Sequence, residues 1–73
     1  MRRIDWTEFG AAIRAKAIID AKGLSHVQTE LGLSHARMIN AAQGKPVGTE
    51  IFLTICEWLG RDALSFLEAT NEQ

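Results

Sequence analysis

Apolar side chains recur at helical spacing along nearly the whole chain, and turn-forming residues divide that pattern into segments. Asp5, followed three residues later by Glu8, makes a capping box, after which Trp6, Phe9, Ile13 and Ala17 fall on one helical face. This predicts a first helix from about Trp6 to Ala21, stopped at Gly23. A short second helix fits Leu24 to Leu31, with Val27 and Leu31 four apart, and Gly32 ends it in a left-handed C′ position. Ser34 is a good N-cap for a third helix that runs to about Gln43 and ends at Gly44. Pro46 cannot continue a helix, so Lys45-Pro46-Val47-Gly48 reads as a connector. Thr49 is then expected to cap a fourth helix carrying Ile51, Phe52, Ile55, Cys56, Trp58 and Leu59, and Gly60 to end it. Asp62 caps a last short helix with Leu64, Phe66 and Leu67, and residues 69–73 are expected to be a frayed tail.

Strand signals are weak. Tyr is absent, β-branched residues do not run together, and there is no Asn-Gly or Asp-Gly hairpin turn. The fold class is therefore all-α, a single domain spanning 1–73 without repeats or low-complexity tracts.

The segment with functional content is Leu24 to Gln43, a helix, a Gly-Leu-Ser turn and a second helix, joined too tightly for the two to lie parallel. That is a helix-turn-helix pattern. Gly32 permits the sharp turn, Leu33 fills the space between the helices, and Ser34 begins the next one; Val27, Leu31, Leu33 and Met38 are the expected inward anchors.

Several short motifs fall in one order: Phe9-Gly10 and Ile13-Arg14, Lys22-Gly23-Leu24, Glu30-Leu31-Gly32-Leu33-Ser34, Gly44-Lys45-Pro46-Val47, Thr49-Glu50, Phe52-Leu53, and Cys56-Glu57-Trp58-Leu59-Gly60. In these the chain resembles, over roughly residues 9 to 67, the Cro/CI (XRE-type) helix-turn-helix repressors of phages and bacteria. The resemblance implies a compact five-helix, lambda-repressor-like domain that binds double-stranded DNA as a transcriptional regulator. It also implies a phage, plasmid or other mobile-element setting, or an antitoxin role. Two departures stand out. Gln28 occupies a position where the family usually has a small residue at the helix crossing, so either the crossing widens or the side chain bends outward. The third helix ends in Ala41-Ala42-Gln43, without the family's basic residue.

Helical geometry says independently which side chains of the third helix face outward. With Met38 inward and about 100° per residue, Ala36, Asn40 and Gln43 point most directly away from the core. Ile39 and Arg37 lie on the flanks, while Ala41, Ala42 and Ser34 turn back, and His35 sits in the first turn. Asn40 and Gln43 carry the donor–acceptor pair that matches an adenine edge, and Ala36 and Ile39 suit thymine methyl groups. Arg37 suits a guanine or a phosphate and Lys45 a phosphate. Amides around Leu24, Ser25 and His26 suit a backbone phosphate at a helix N-terminus.

Charge bears on this in two ways. The chain of 73 residues has a net charge of −1, yet residues 1–49 sum to +3 and residues 50–73 to −4. No acidic residue lies between Glu30 and Glu50, as a surface approaching phosphates requires. Arg2 and Arg3 read as a basic arm or an unstructured start.

Such a short chain is near the lower limit for an independent core. The single Cys56 excludes an intramolecular disulfide, and His26 and His35 lack metal-ligand spacing, so no metal and no cofactor are expected. A second subunit is the expected source of added stability, with a homodimer seam on helices 4 and 5 at Trp58, Phe66 and Leu67. No apolar run is long enough to span a bilayer and no signal peptide is visible, so a cytoplasmic location is expected. Catalytic carboxylate pairs, nucleophile elbows and phosphate loops are missing from the sequence, and an enzyme is not expected. A second functional class stays open: a degenerate helix-turn-helix acting through a protein partner, antiactivator- or antitoxin-like. The low net charge, Gln28 and the sparse basic content of helix 3 favour it.

Overall fold

Residues 3–67, those that the computed structural model describes, form four α-helices and one 3-10 turn: α1 (Trp6–Ile19), α2 (Leu24–Leu31), α3 (His35–Ala42), α4 (Thr49–Leu59) and the turn Ala63–Phe66. The protein is all-α. No strand is present among the described residues, only one antiparallel bridge between Ile4 and Leu67. Arg2 and the expected frayed tail at residues 69–73 lie outside the described residues. None of the helices is long and apolar enough to cross a membrane.

The core is built from every helix. Phe9, Ile13, Val27, Met38, Ala41 and Ile55 are wholly buried, with Ala42, Phe52, Cys56 and Phe66 nearly so. Leu31 and Leu33 are half-buried against this cluster, on either side of the turn they were expected to anchor. Around Phe9 the aromatic rings meet mainly edge to face, with centroids 5.7 Å away for Trp6, 4.9 Å for Phe52 and 5.1 Å for Phe66. Such pairs add about 0.5–1.5 kcal/mol each beyond the area they bury. Burial also pushes the Cys56 thiol up, which fits a core side chain and not a nucleophile.

Phe66 corrects one expectation. At 1% exposure it belongs to the core and contributes no surface to a subunit seam, while Trp58 and Leu67 are half-buried. The segment that carries it is a 3-10 turn and not a fifth α-helix. Asp62 caps it as expected, accepting from the Leu64 N–H at 3.1 Å. Ending it after one turn lets Phe66 enter the core while its carbonyl accepts from the Asp5 N–H at 2.6 Å. The two ends of the described chain are thereby joined.

That bond also rewrites the capping box. The Asp5 carboxylate accepts from the Glu8 N–H at 3.1 Å, as expected. Glu8 does not reach back to Asp5, whose N–H is already taken; its carboxylate pairs with Arg61 at 3.2 Å. Arg61 in turn lies over the Phe66 ring, 4.1 Å from its centroid.

All four α-helices end the same way, with a left-handed residue whose N–H bonds back into the last turn. Gly32, Gly44 and Gly60 do this at α2, α3 and α4. At α1 the residue is Ala21, φ 56°, so the helix stops two residues before the expected Ala21 boundary. Gly23 is not the stop. It is the extended N-cap of α2, and α1 must turn before reaching it. Gly48 likewise replaces Thr49 as the N-cap of α4, because Val47 packs against the core and commits the chain to helix one residue early.

Two substitutions test this reading by thermal unfolding. Ala21→Gly removes a side chain from a left-handed position and is expected to stabilise by roughly 0.5–1 kcal/mol, raising Tm by a few degrees. Gly10→Ala would place a Cβ 2.8 Å from the Gly44 nitrogen and 2.9 Å from the Ala42 oxygen. It is expected to destabilise by about 1–3 kcal/mol.

Candidate nucleic-acid interface

The α2–α3 turn is set by backbone bonding. Gly32, at φ 70°, lets the Leu33 N–H return to the Gln28 carbonyl at 2.9 Å while its own N–H bonds Thr29 at 3.2 Å. Ser34, extended at φ −75° and ψ 157°, then opens α3 and its hydroxyl accepts from the Arg37 N–H at 3.3 Å. Ser34 is exposed and does not turn back to the core: as the N-cap it precedes the helix, and the 100° rule does not govern its direction.

Within α3 the inner and outer faces separate as the geometry predicts. Met38, Ala41 and Ala42 are buried; His35, Ala36, Arg37, Asn40 and Gln43 are exposed, and so is Lys45 just beyond. Ile39, expected on an open flank, is half-buried. The side chains of Arg37, Asn40, Gln43 and Lys45 make no hydrogen bond or ion pair to the other described residues. By contrast Lys16 pairs with Asp20 at 3.1 Å, Lys22 with Glu30 at 3.0 Å and Arg61 with Glu8. Arg37 and Lys45 thus bring unspent positive charge to the two ends of one helix.

Gln28 resolves the question its position raised. It bends across to α3, and its amide oxygen accepts from the His35 ring Nδ1 at 2.9 Å. This tie fixes the first turn of α3 against α2 and leaves the His35 Nε2 and the Gln28 amide nitrogen without a bond among the described residues.

At the start of α2 the arrangement is less favourable to an anion. Ser25 and His26 are exposed, but the His26 N–H is bonded to the Gly23 carbonyl at 3.1 Å, and its Nε2 lies 3.6 Å from Glu30. The Lys22 ammonium beside Glu30 holds that carboxyl below the ordinary range, with His26 adding to the effect. A carboxylate therefore stands beside His26. Only the Leu24 and Ser25 amides are left without a backbone acceptor there.

Arg14 is the residue that sequence reasoning missed. Its guanidinium donates to the Ala42 carbonyl at the end of α3, supplying from α1 the cation that the helix lacks in its own last turn. The signal was its spacing. Arg14 is one turn beyond Gly10, whose face of α1 lies against that same end. Among the described residues no three His, Cys, Asp or Glu side chains gather into a metal-binding group.

No family model matches the chain, and no curated protein or solved structure is significantly similar to it.

Arg14→Ala is expected to lower stability by about 1 kcal/mol, the order of a hydrogen bond from a charged donor at a partly exposed site. Chemical denaturation would read this, and amide exchange would place the loss in the last turn of α3.

Proposed function

We propose that this chain is a sequence-specific DNA-binding transcriptional regulator of the Cro/CI type, in which α2 and α3 form a helix-turn-helix and α3 enters the major groove. The observation that supports it best is the set of unengaged polar groups on the outer side of α3, in a stretch of chain that has no acidic residue between Glu30 and Glu50. Asn40 and Gln43 read adenine edges, and the small Ala36 brings the backbone close to the bases or meets a thymine methyl. Ile39 contributes its exposed edge to the same kind of contact. Arg37 reads a guanine or holds a phosphate, Lys45 holds a phosphate, and Ser34 and His35 sit where the first turn meets the groove. Ser25 and His26 contribute backbone contact at the start of α2. The regulator acts as a repressor on an inverted repeat, with two subunits on half-sites about one helical turn apart.

A second reading, a helix-turn-helix that acts by binding another protein, is favoured by one specific feature. Most of the described basic side chains are spent inside the protomer, and Glu30 sits beside His26 where a phosphate was expected.

Titration against duplex DNA from its own upstream region, at several salt concentrations, separates the two. The first reading expects a specific complex with a steep salt dependence. Asn40→Ala is expected to remove preference for the site, at a cost of about 1–3 kcal/mol. Lys45→Ala is expected to weaken all duplexes alike and to reduce the salt slope by about 1. Absence of any duplex binding at low salt contradicts the first reading and supports the second.

A further inference from the structure

A cleft of about 550 Å³ lies between the second half of α1 and the link into α2, and no residue of α3 lines it. Its walls are the side chains of Ala17, Ile18, Ala21 and Leu24, and the only polar side chains on it are two cations, Arg14 and Lys22. No carboxylate of the described residues lines it. The volume falls within the range of small-molecule sites, about 300–1,000 Å³.

The two cations differ in how far their charge is met. Lys22 pairs with Glu30 at 3.0 Å. Arg14 has no acidic partner among the described residues. One of its guanidinium nitrogens donates to the Ala42 carbonyl, and the remaining N–H donors have no acceptor there. A carboxylate, planar and with two oxygens, is the group that takes two such donors at once. The apolar wall, for its part, includes a side chain that the backbone does not favour. Ala21 has φ 56°, where glycine is free of strain, and the methyl group that causes the strain lines the cleft. Ile18 is 78% exposed. Both gain from an apolar occupant in place of water. Arg14 precedes this wall by one turn of α1 and Lys22 follows it in the chain, so positive charge flanks the apolar surface.

We propose that this cleft binds a small amphipathic carboxylate, an unbranched aliphatic acid of medium length. Its carboxylate lies on the Arg14 guanidinium and its chain along Ala17, Ile18, Ala21 and Leu24. Lys22 adds attraction at a distance, its own bond being made to Glu30. The cleft is open, so the affinity is weak, on the order of millimolar. Occupancy reaches α3 through Arg14, which also holds the Ala42 carbonyl. The site does not depend on the DNA reading, and none of the side chains assigned to DNA lines it.

Titration with octanoate below its micelle concentration, followed by amide NMR of the whole chain without DNA, tests it. Acetate, which has the charge without the chain, and 1-octanol, which has the chain without the charge, serve as comparisons. Octanoate is expected to give saturable shifts at Arg14, Ala17, Ile18, Ala21 and Leu24, and at Ala42 through Arg14. Acetate and 1-octanol are expected to bind at least about tenfold more weakly, the order of a lost charge-assisted bond or a lost apolar contact. Arg14→Gln is expected to weaken octanoate binding by about tenfold. Ile18→Glu sets a like charge on the wall and is expected to weaken it too; this side chain is already in water, so an unchanged circular dichroism spectrum and Tm show that the variant is folded. Shifts that do not saturate, or that spare Arg14 and the cleft wall, overturn the proposal. So does 1-octanol binding as tightly as octanoate, or a folded Ile18→Glu chain that binds octanoate as the parent does.

Discussion

Gly10 brings the backbone of α1 against the last turn of α3, so closely that a single methyl group there would collide with the Ala42 carbonyl and the Gly44 amide. The rest of the arrangement follows from that approach. With α1 at contact distance, only small side chains fit between the helices, and Ala41 and Ala42 are what α3 presents. Phe9 and Ile13, on either side of Gly10 along the same face, fill the space where the helices diverge. Arg14, one turn on, binds the carbonyl that the approach leaves at the helix end. Once Met38, Ala41 and Ala42 are committed inward, helical geometry gives Ala36, Asn40 and Gln43 no other direction than outward. The interface proposed for DNA is thus a consequence of how one glycine seats a helix.

Much of this was legible in the chain. The limits of α2 follow from Gly23 and Gly32, and the inner and outer faces of α3 from Met38 and a period of 3.6. What escaped depends on contacts between distant segments. Ala21 makes a left-handed turn that local propensity assigns to glycine, because Gly23 is required two residues later as the cap of α2. The final segment is one turn of 3-10 helix because Phe66 has to enter the core and its carbonyl has to meet Asp5. Phe66 itself, read as a surface for a second subunit, is held inside by Phe9 and Phe52. The Gln28–His35 tie joins residues seven positions apart on two helices, and no periodicity announces it; for the Arg14 cap, which spans twenty-eight positions, the spacing from Gly10 gives the face of α1 and not the partner.

Charge is where the functional reading gains its content. A net charge of −1 says little about a surface that approaches DNA; which charges are engaged says more. Lys16, Lys22 and Arg61 have acidic partners and Arg14 has a carbonyl, whereas Arg37 and Lys45 have nothing to neutralise them among the described residues and lie at opposite ends of the same helix. On the DNA-binding reading proposed above, two such cations would give a modest, salt-sensitive attraction, and most of the sequence preference would fall to the outer side chains of α3, Asn40 and Gln43 first among them.

Selection of binding sites from a random duplex library, followed by sequencing of the retained DNA, addresses that claim without assuming a target. A DNA-reading α3 predicts enrichment of one short motif, repeated in inverted orientation. A retained pool as random as the starting library would contradict the account at its centre.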